Sequence, residues 1–223
     1  MVNAVRSIVT DPGVYAPQHD SSALLTALAE ASLPRDARVL DLCTGSGVIG
    51  IGAALLGAVD VVAFDISAAA VACAQRNAID NGVRVDVRCG GLHEAVAAGP
   101  FDVVLCNPPY VPADPDEPAV AAWDAGLDGR ALLDPLCSRS AELLRDGGFA
   151  LIVHSELSGP GETIRQLRGA GLKASVVSRR TIDFGPVLTE RAEWLEQRGM
   201  VAPGQRREEL VVIRGDRTDP EAA

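Results

Sequence analysis

Histidine and cysteine are scarce in this sequence and badly spaced for metal or disulfide chemistry. Its 223 residues include three histidines and five cysteines, Cys43, Cys73, Cys89, Cys106 and Cys137, odd in number, scattered, and without a CxxC pair. That usage argues for a reducing compartment and against a structural zinc site, so a cytoplasmic protein without a metal is expected. Long apolar runs are missing too: no stretch approaches the roughly 18 residues of a membrane span. Met1 to Thr10 holds one arginine and no long apolar block, so no signal peptide is expected. Basic residues are outnumbered, 20 Lys and Arg against 30 Asp and Glu, and the net charge of −10 disfavours unaided binding to a phosphate backbone. The adjacent pairs Arg179-Arg180 and Arg206-Arg207 have acidic neighbours and read as solvated surface.

What is present is a globular composition, 48% hydrophobic, with strands and helices in alternation. Strand patterns fall at 38–42, 59–64, 84–88, 101–106, 149–154, 172–178 and 210–214. Helical patterns fall between them, at about 20–32, 48–56, 67–80 with Ser67 as N-cap, 130–145, 160–169 and 189–198. Alternation of this kind predicts a parallel α/β sheet with helices on both faces. No internal repeat or linker-like break divides the chain. The expected organisation is an entry segment and helix over 1–37, a catalytic unit over 38–215, and a frayed tail over 216–223.

Asn107-Pro108-Pro109-Tyr110 follows the apolar run Val103 to Cys106, and its prolines must end that strand because neither can donate a ladder hydrogen bond. In an open α/β sheet the carboxyl end of a strand is where ligands bind. The Asn107 side-chain oxygen and the Pro108 carbonyl can both accept from one substrate NH2, leaving its nitrogen aimed at an incoming carbon. Tyr110 would cover the planar group. The alternative is a plain turn, since Asn-Pro is a common turn starter. The long Pro- and Asp-rich loop from Val111 to about Asp128 is a candidate substrate-binding segment, with Trp123 as a candidate anchor. His154, ending a strand on the ligand side, is a further substrate-contact candidate.

A second strand–turn–helix, Asp41-Leu42-Cys43-Thr44-Gly45-Ser46-Gly47, has the context of a nucleotide-type glycine loop. Asp65 lies 24 positions after Asp41, at the next strand end, where a carboxylate accepts from a ribose diol. The loop reads CxGxG instead of GxGxxG. Asp41 beside it would repel a pyrophosphate but suits a cationic ligand carrying an ammonium and a sulfonium, so S-adenosylmethionine fits better than NAD.

These residues, at these separations, together with Val111-Pro112, resemble the HemK-like family of class I S-adenosylmethionine-dependent methyltransferases, NPPY type. Val14 to Pro17 with Asp20-Ser21, and Ala122-Trp123 with Gly126, Gly129-Arg130 and Asp134, are similar to its short branch, which lacks the N-terminal helical domain. The resemblance implies a Rossmann-like seven-stranded sheet, six strands parallel and the last antiparallel. It implies that Asp41, Cys43, Gly45, Gly47, Asp65, Ile66, Gly91, Leu92 and Asn107 contact the cofactor, and that Tyr15, Asp20 and Ser21 close over it. Asn107, Pro108 and Tyr110 would hold the acceptor, with Pro109, Trp123 and His154 on the substrate side. Gly90-Gly91 stands where the family often has an acid, and His19 where the short branch usually has Glu. The expected reaction is N-methylation of a planar amide or amino nitrogen, first a protein glutamine of release-factor type. The alternatives are a small molecule, adenine in nucleic acid, and a partner-dependent or inactive binding module. A small activator subunit is a possible partner.

Overall fold

The computed structural model describes residue 5 and residues 7–218. The helix α1 (His19–Ala31) precedes β1 (Arg38–Leu42), α2 (Val48–Leu55), β2 (Asp60–Asp65), α3 (Ala68–Asp80), β3 (Asp86–Cys89), α4 (Leu92–Ala98) and β4 (Phe101–Cys106). After the long loop come α5 (Leu133–Leu143), β5 (Leu144–Ser155), α6 (Pro160–Gly169), β6 (Leu172–Asp183), α7 (Pro186–Glu190), α8 (Ala192–Gln197) and β7 (Arg207–Arg217). The seven strands form one sheet in the order β3-β2-β1-β4-β5-β7-β6. Only β7 runs against the others, pairing antiparallel with both β5 and β6. This is the expected Rossmann-like arrangement.

The central strands are apolar on both faces because helices cover both. Leu40, Leu42, Val104, Cys106 and Ile152 pack with Leu133 and Leu136 of α5 on one side. Val39, Val103, Leu105 and Leu151 meet Leu24, Leu25 and Leu28 of α1 on the other. Leu24 and Leu28 are fully buried, and each such side chain contributes about 1.5–3 kcal/mol of burial free energy. Thus α1 is bound into the core. The segment before it is tied to α3, where the Asn77 amide donates to Val9 O at 2.9 Å and accepts from Val9 N at 3.1 Å.

Several boundaries differ from expectation. The helix expected to reach Arg145 stops at Leu143, because Leu144 pairs with Phe101 and starts β5 there. Asp146-Gly147-Gly148 lies inside that strand, opposite a register shift on β4. The β6–β7 ribbon is longer than its apolar patterns, running to the pair Asp183 and Arg207. Its other end carries Asp216 and Arg217, so the frayed tail expected from 216 does not start there; residues 219–223 lie outside the described residues. The short α4 was not anticipated, and the single helix expected over 189–198 is two, meeting at Arg191.

Candidate active site

Strand order reverses direction between β1 and β4, and the loops leaving their carboxyl ends part there to open a crevice. A cavity of about 510 Å³ occupies it, within the range of small-ligand sites. The β1–α2 loop supplies Cys43, Thr44, Gly45 and Ser46, the end of β2 supplies Asp65 and Ile66, and the end of β3 supplies Gly90, Gly91 and Leu92. Tyr15 and Ser21 face it from the entry segment and α1, and Asn107 and Pro109 from the end of β4.

Asp65 is held from two directions: Oδ2 accepts from Gly45 N and Oδ1 from Ser67 N, both at 2.9 Å. Each oxygen keeps a further lone pair, so the carboxylate is pre-oriented for a diol. Cys43 sits at φ 63°, a left-handed conformation that a residue with a Cβ adopts at a cost, and it is part of the cavity wall.

Gly47 corrects an expectation. It does not line the cavity; at φ 86° a Cβ there would stand 2.9 Å from the Ala74 Cβ, so glycine is needed for the loop to lie against α3. Asp41 is likewise beneath the loop and does not line the cavity. Its Oδ2 accepts from Thr44 Oγ1 at 2.6 Å and Gly50 N at 2.8 Å, while Oδ1 has no partner. Burial pushes this carboxyl up to about 7 against the pull of those two donors.

Asn107, Pro108, Pro109 and Tyr110 line a recess of about 40 Å³ with Tyr15, Asp20 and Trp123. Asn107, Pro109 and Tyr15 belong to the walls of both spaces, so the recess opens beside the large cavity. Asp20, expected over the cofactor, instead faces this recess. It is buried, and its carboxylate accepts from Tyr15 OH at 2.7 Å, Tyr110 OH at 3.0 Å, Ser21 N at 2.5 Å and Ser21 Oγ at 3.1 Å. Both phenols are pushed well above their usual pKa, first by burial and then by Asp20, so they stay neutral donors. The Asn107 amide reaches Ser21 Oγ at 3.5 Å.

His154 is a second correction, because it lines none of these spaces. It shares the inward face of β5 with Ala150 and Ile152 and is fully buried. Its Nδ1 lies 2.8 Å from Ser155 O, and burial lowers its pKa to about 4, so the ring is neutral packing. His19 opens α1 beneath a Gln18 N-cap.

The loop after Tyr110 is folded back on the site. Val111 N donates to Trp123 O and Ala125 N to Val111 O, bringing Val120, Ala121, Ala122 and Asp124 to the cavity wall. Gly129, at φ 72°, passes so close to Tyr110 that a Cβ would lie 2.2 Å from its carbonyl oxygen. Arg191, between α7 and α8, donates to Pro112 O at 3.0 Å and pairs with Asp124 at 2.5 Å. Sequence reading missed Asp124 and Arg191, 67 residues apart; an acid in the loop was visible, its cation was not.

The family described as Methyltransferase small domain matches residues 6–171. The chain belongs to it, in the HemK-like class I branch. This methyltransferase is 36% identical over 185 residues to a Methanocaldococcus jannaschii protein provisionally named a protein N5-glutamine methyltransferase, covering 81% of this chain and 92% of that one. It is 32% identical over 186 residues to the release factor glutamine methyltransferase of Mycolicibacterium smegmatis, covering 78% of this chain and 66% of the relative. The methyltransferase therefore spans only about two thirds of that bacterial protein's length. Among solved structures, the Mtq2–Trm112 complex of E. cuniculi, responsible for methylation of the eRF1 translation termination factor, aligns with a TM-score of 0.64. That alignment covers 92% of this chain and 99% of the other at 22% identity, a likeness of fold.

Proposed function

We propose that this methyltransferase transfers a methyl group from S-adenosylmethionine to the side-chain amide nitrogen of a protein glutamine, of the release-factor type. The observation that carries the reading is the Asn107–Tyr110 segment, which forms the shared wall between a cofactor-sized cavity and a recess fit for one planar group. The chemistry of the lining fits the cofactor. Among the described residues no lysine, arginine or histidine lines the large cavity, whereas Asp65 does, Asp124 on the wall being paired with Arg191, and the buried Asp41 carries an unpartnered oxygen beneath the loop. Such a site favours a cationic ligand over a pyrophosphate.

Asp65 would hold the ribose, the Gly90 to Leu92 segment and Ile66 the base, and Cys43 to Gly45 the methionine end. When bound, the cofactor supplies an electrophilic methyl group on a sulfonium. The protein's part is positioning. With the Asn107 Nδ2 directed at Ser21, its Oδ1 is left to accept from the substrate NH2. The Tyr110 and Tyr15 rings, locked through Asp20, wall the recess. An amide nitrogen is a weak nucleophile, so alignment and desolvation carry most of the rate.

The two named relatives, one of which spans nearly the same length as this chain, support glutamine as the acceptor. The fold shared with the Mtq2–Trm112 complex supports including an activator subunit in the assay. The five free thiols fit a cytoplasmic location. The test is transfer of labelled methyl from S-adenosylmethionine to a release-factor peptide bearing the glutamine, alone and with cell extract, beside RNA, DNA and metabolite pools. Peptide labelling is expected, and labelling of only another pool would overturn the acceptor. Asn107→Ala is expected to cut turnover by about 100-fold or more while calorimetry finds cofactor affinity nearly unchanged. Loss of both would remove Asn107 from its role.

A further inference from the structure

Past the recess, behind Tyr110, lies a third space of about 80 Å³. Its walls include His19, Asp20, Tyr110, Trp123, Leu188 and Glu208. Asp20, Tyr110 and Trp123 also line the acceptor recess, so the two spaces adjoin.

Glu208 is an anomaly of sequence as well as of structure. It shares a face of β7 with Leu210 and Val212, both buried, where the period-two pattern calls for an apolar residue. The antiparallel course of β7 brings this residue, near the strand's start, to the ligand end of the sheet opposite Ile182. The side chain is 5% exposed, interacts through one oxygen with the Ser155 hydroxyl, and leaves Oε2 without a hydrogen-bond partner. A buried carboxylate oxygen without a donor is costly unless a ligand completes it. Asp20 beside it needs nothing more, since four donors of this chain already fill it. Among the described residues no lysine or arginine lines the space, and Asp183 on its rim adds a carboxylate shared only with Arg207 at 3.3 Å. Three aromatic rings, Tyr15, Tyr110 and Trp123, and Leu188 would flank an alkyl stem and its charged head.

We propose that this space is a substrate subsite for a cationic side chain, ammonium or guanidinium, carried by the polypeptide close to the methylated residue, with Glu208 as its acceptor. The proposal rests on the reading that the substrate is a polypeptide. Specificity would then come from β7 as well as from the loop after Tyr110.

The test is binding by NMR, with S-adenosylhomocysteine present, of N-acetyl-lysine methylamide, N-acetyl-arginine methylamide and the neutral N-acetyl-norleucine methylamide. One cation is expected to bind about tenfold more tightly than norleucine, and Glu208→Gln to reduce that preference to about twofold or less. Which cation is preferred decides between ammonium and guanidinium. Equal binding of all three to the wild type, or a preference that survives Glu208→Gln, overturns the subsite. Location is read in the wild type, so a variant that fails to fold decides nothing by itself: the cation must shift the Trp123 indole and Leu188 methyl signals, and one that shifts neither overturns the proposal. A parallel assay compares glutamine peptides with and without flanking cations. No turnover on any of them, with the binding pattern intact, would count against the glutamine reading and leave the cation site standing.

Discussion

Asp20 and Asp41 are both buried acids in the site, yet their surroundings give them opposite characters. Asp20 is filled by four donors, two of them phenols with no other hydrogen-bond partner among the described residues. Asp20→Ala leaves the half-buried Tyr15 and Tyr110 with unsatisfied hydroxyls, each costing up to about 1–3 kcal/mol. A lower urea midpoint with turnover lost is the expected result, and unchanged stability would mean that water replaces the carboxylate. Asp41 has an unpartnered oxygen, and burial raises its pKa from 3.8 to about 7; Glu208 is raised in the same direction, from 4.5 to about 7. Between the ordinary value and about 7 the folded protein keeps protons that the unfolded chain releases, so stability is expected to fall as pH rises through that window. Asp41→Asn can keep both contacts to Thr44 and Gly50 through its oxygen while removing the charge. Denaturation from pH 4 to 8 should therefore show a shallower decline for this variant, and an unaltered slope would show that Asp41 ionises without penalty.

At the scale of elements, the loop after β4 and the α7–α8 insertion act on one another. Val111, Leu188, Leu195 and Val201 form a small cluster of their own, packed with Trp123 and Trp194 and separate from the two main faces of the sheet. The Arg191–Asp124 pair ties the insertion to the loop, with Asp124 almost fully buried. Arg191→Ala would strand that carboxylate, a loss that typically costs about 3–5 kcal/mol for a buried pair, and let the loop lift from the site. A rise in KM for the peptide that exceeds the fall in kcat is expected, with Arg191→Lys restoring part of the loss. A pure kcat effect would instead place Arg191 in the chemical step. The expected elements were legible where pattern and punctuation agree, as in β1, in β4 ended by its two prolines, and in α3, whose cap Ser67 accepts from Ala70 N at 3.3 Å. They were not legible where pairing overrides the local pattern. Leu144 to Gly148 reads as the end of a helix and a turn, but a vacant ladder beside Phe101 draws it into β5.

The whole molecule is a sheet with a well-buried centre and a less deeply packed rim over the ligand end. Hydrogen exchange is expected to be slowest in β1, β4 and β5 and faster in residues 111–131 and 184–206, with the loop slowed by S-adenosylmethionine. Equal protection of the insertion and β4 would show that the rim and the centre open as one unit. The split between sequence and structure follows the same geography. By itself the sequence determined the strand–helix alternation, the parallel sheet, the two loops that make the crevice, and the acids and amide expected there, because each depends on residues within a few positions of one another. The tertiary structure alone decided that Asp41 and Gly47 support the loop from below, that Asp20 turns to the small recess beside Tyr110, and that His154 is packed away. It also decided that Arg191 meets Asp124 and that Glu208 faces the back of Tyr110. Such contacts join residues dozens of positions apart. Their partners are chosen by strand order and by which face of a strand is covered, and no local period carries that information.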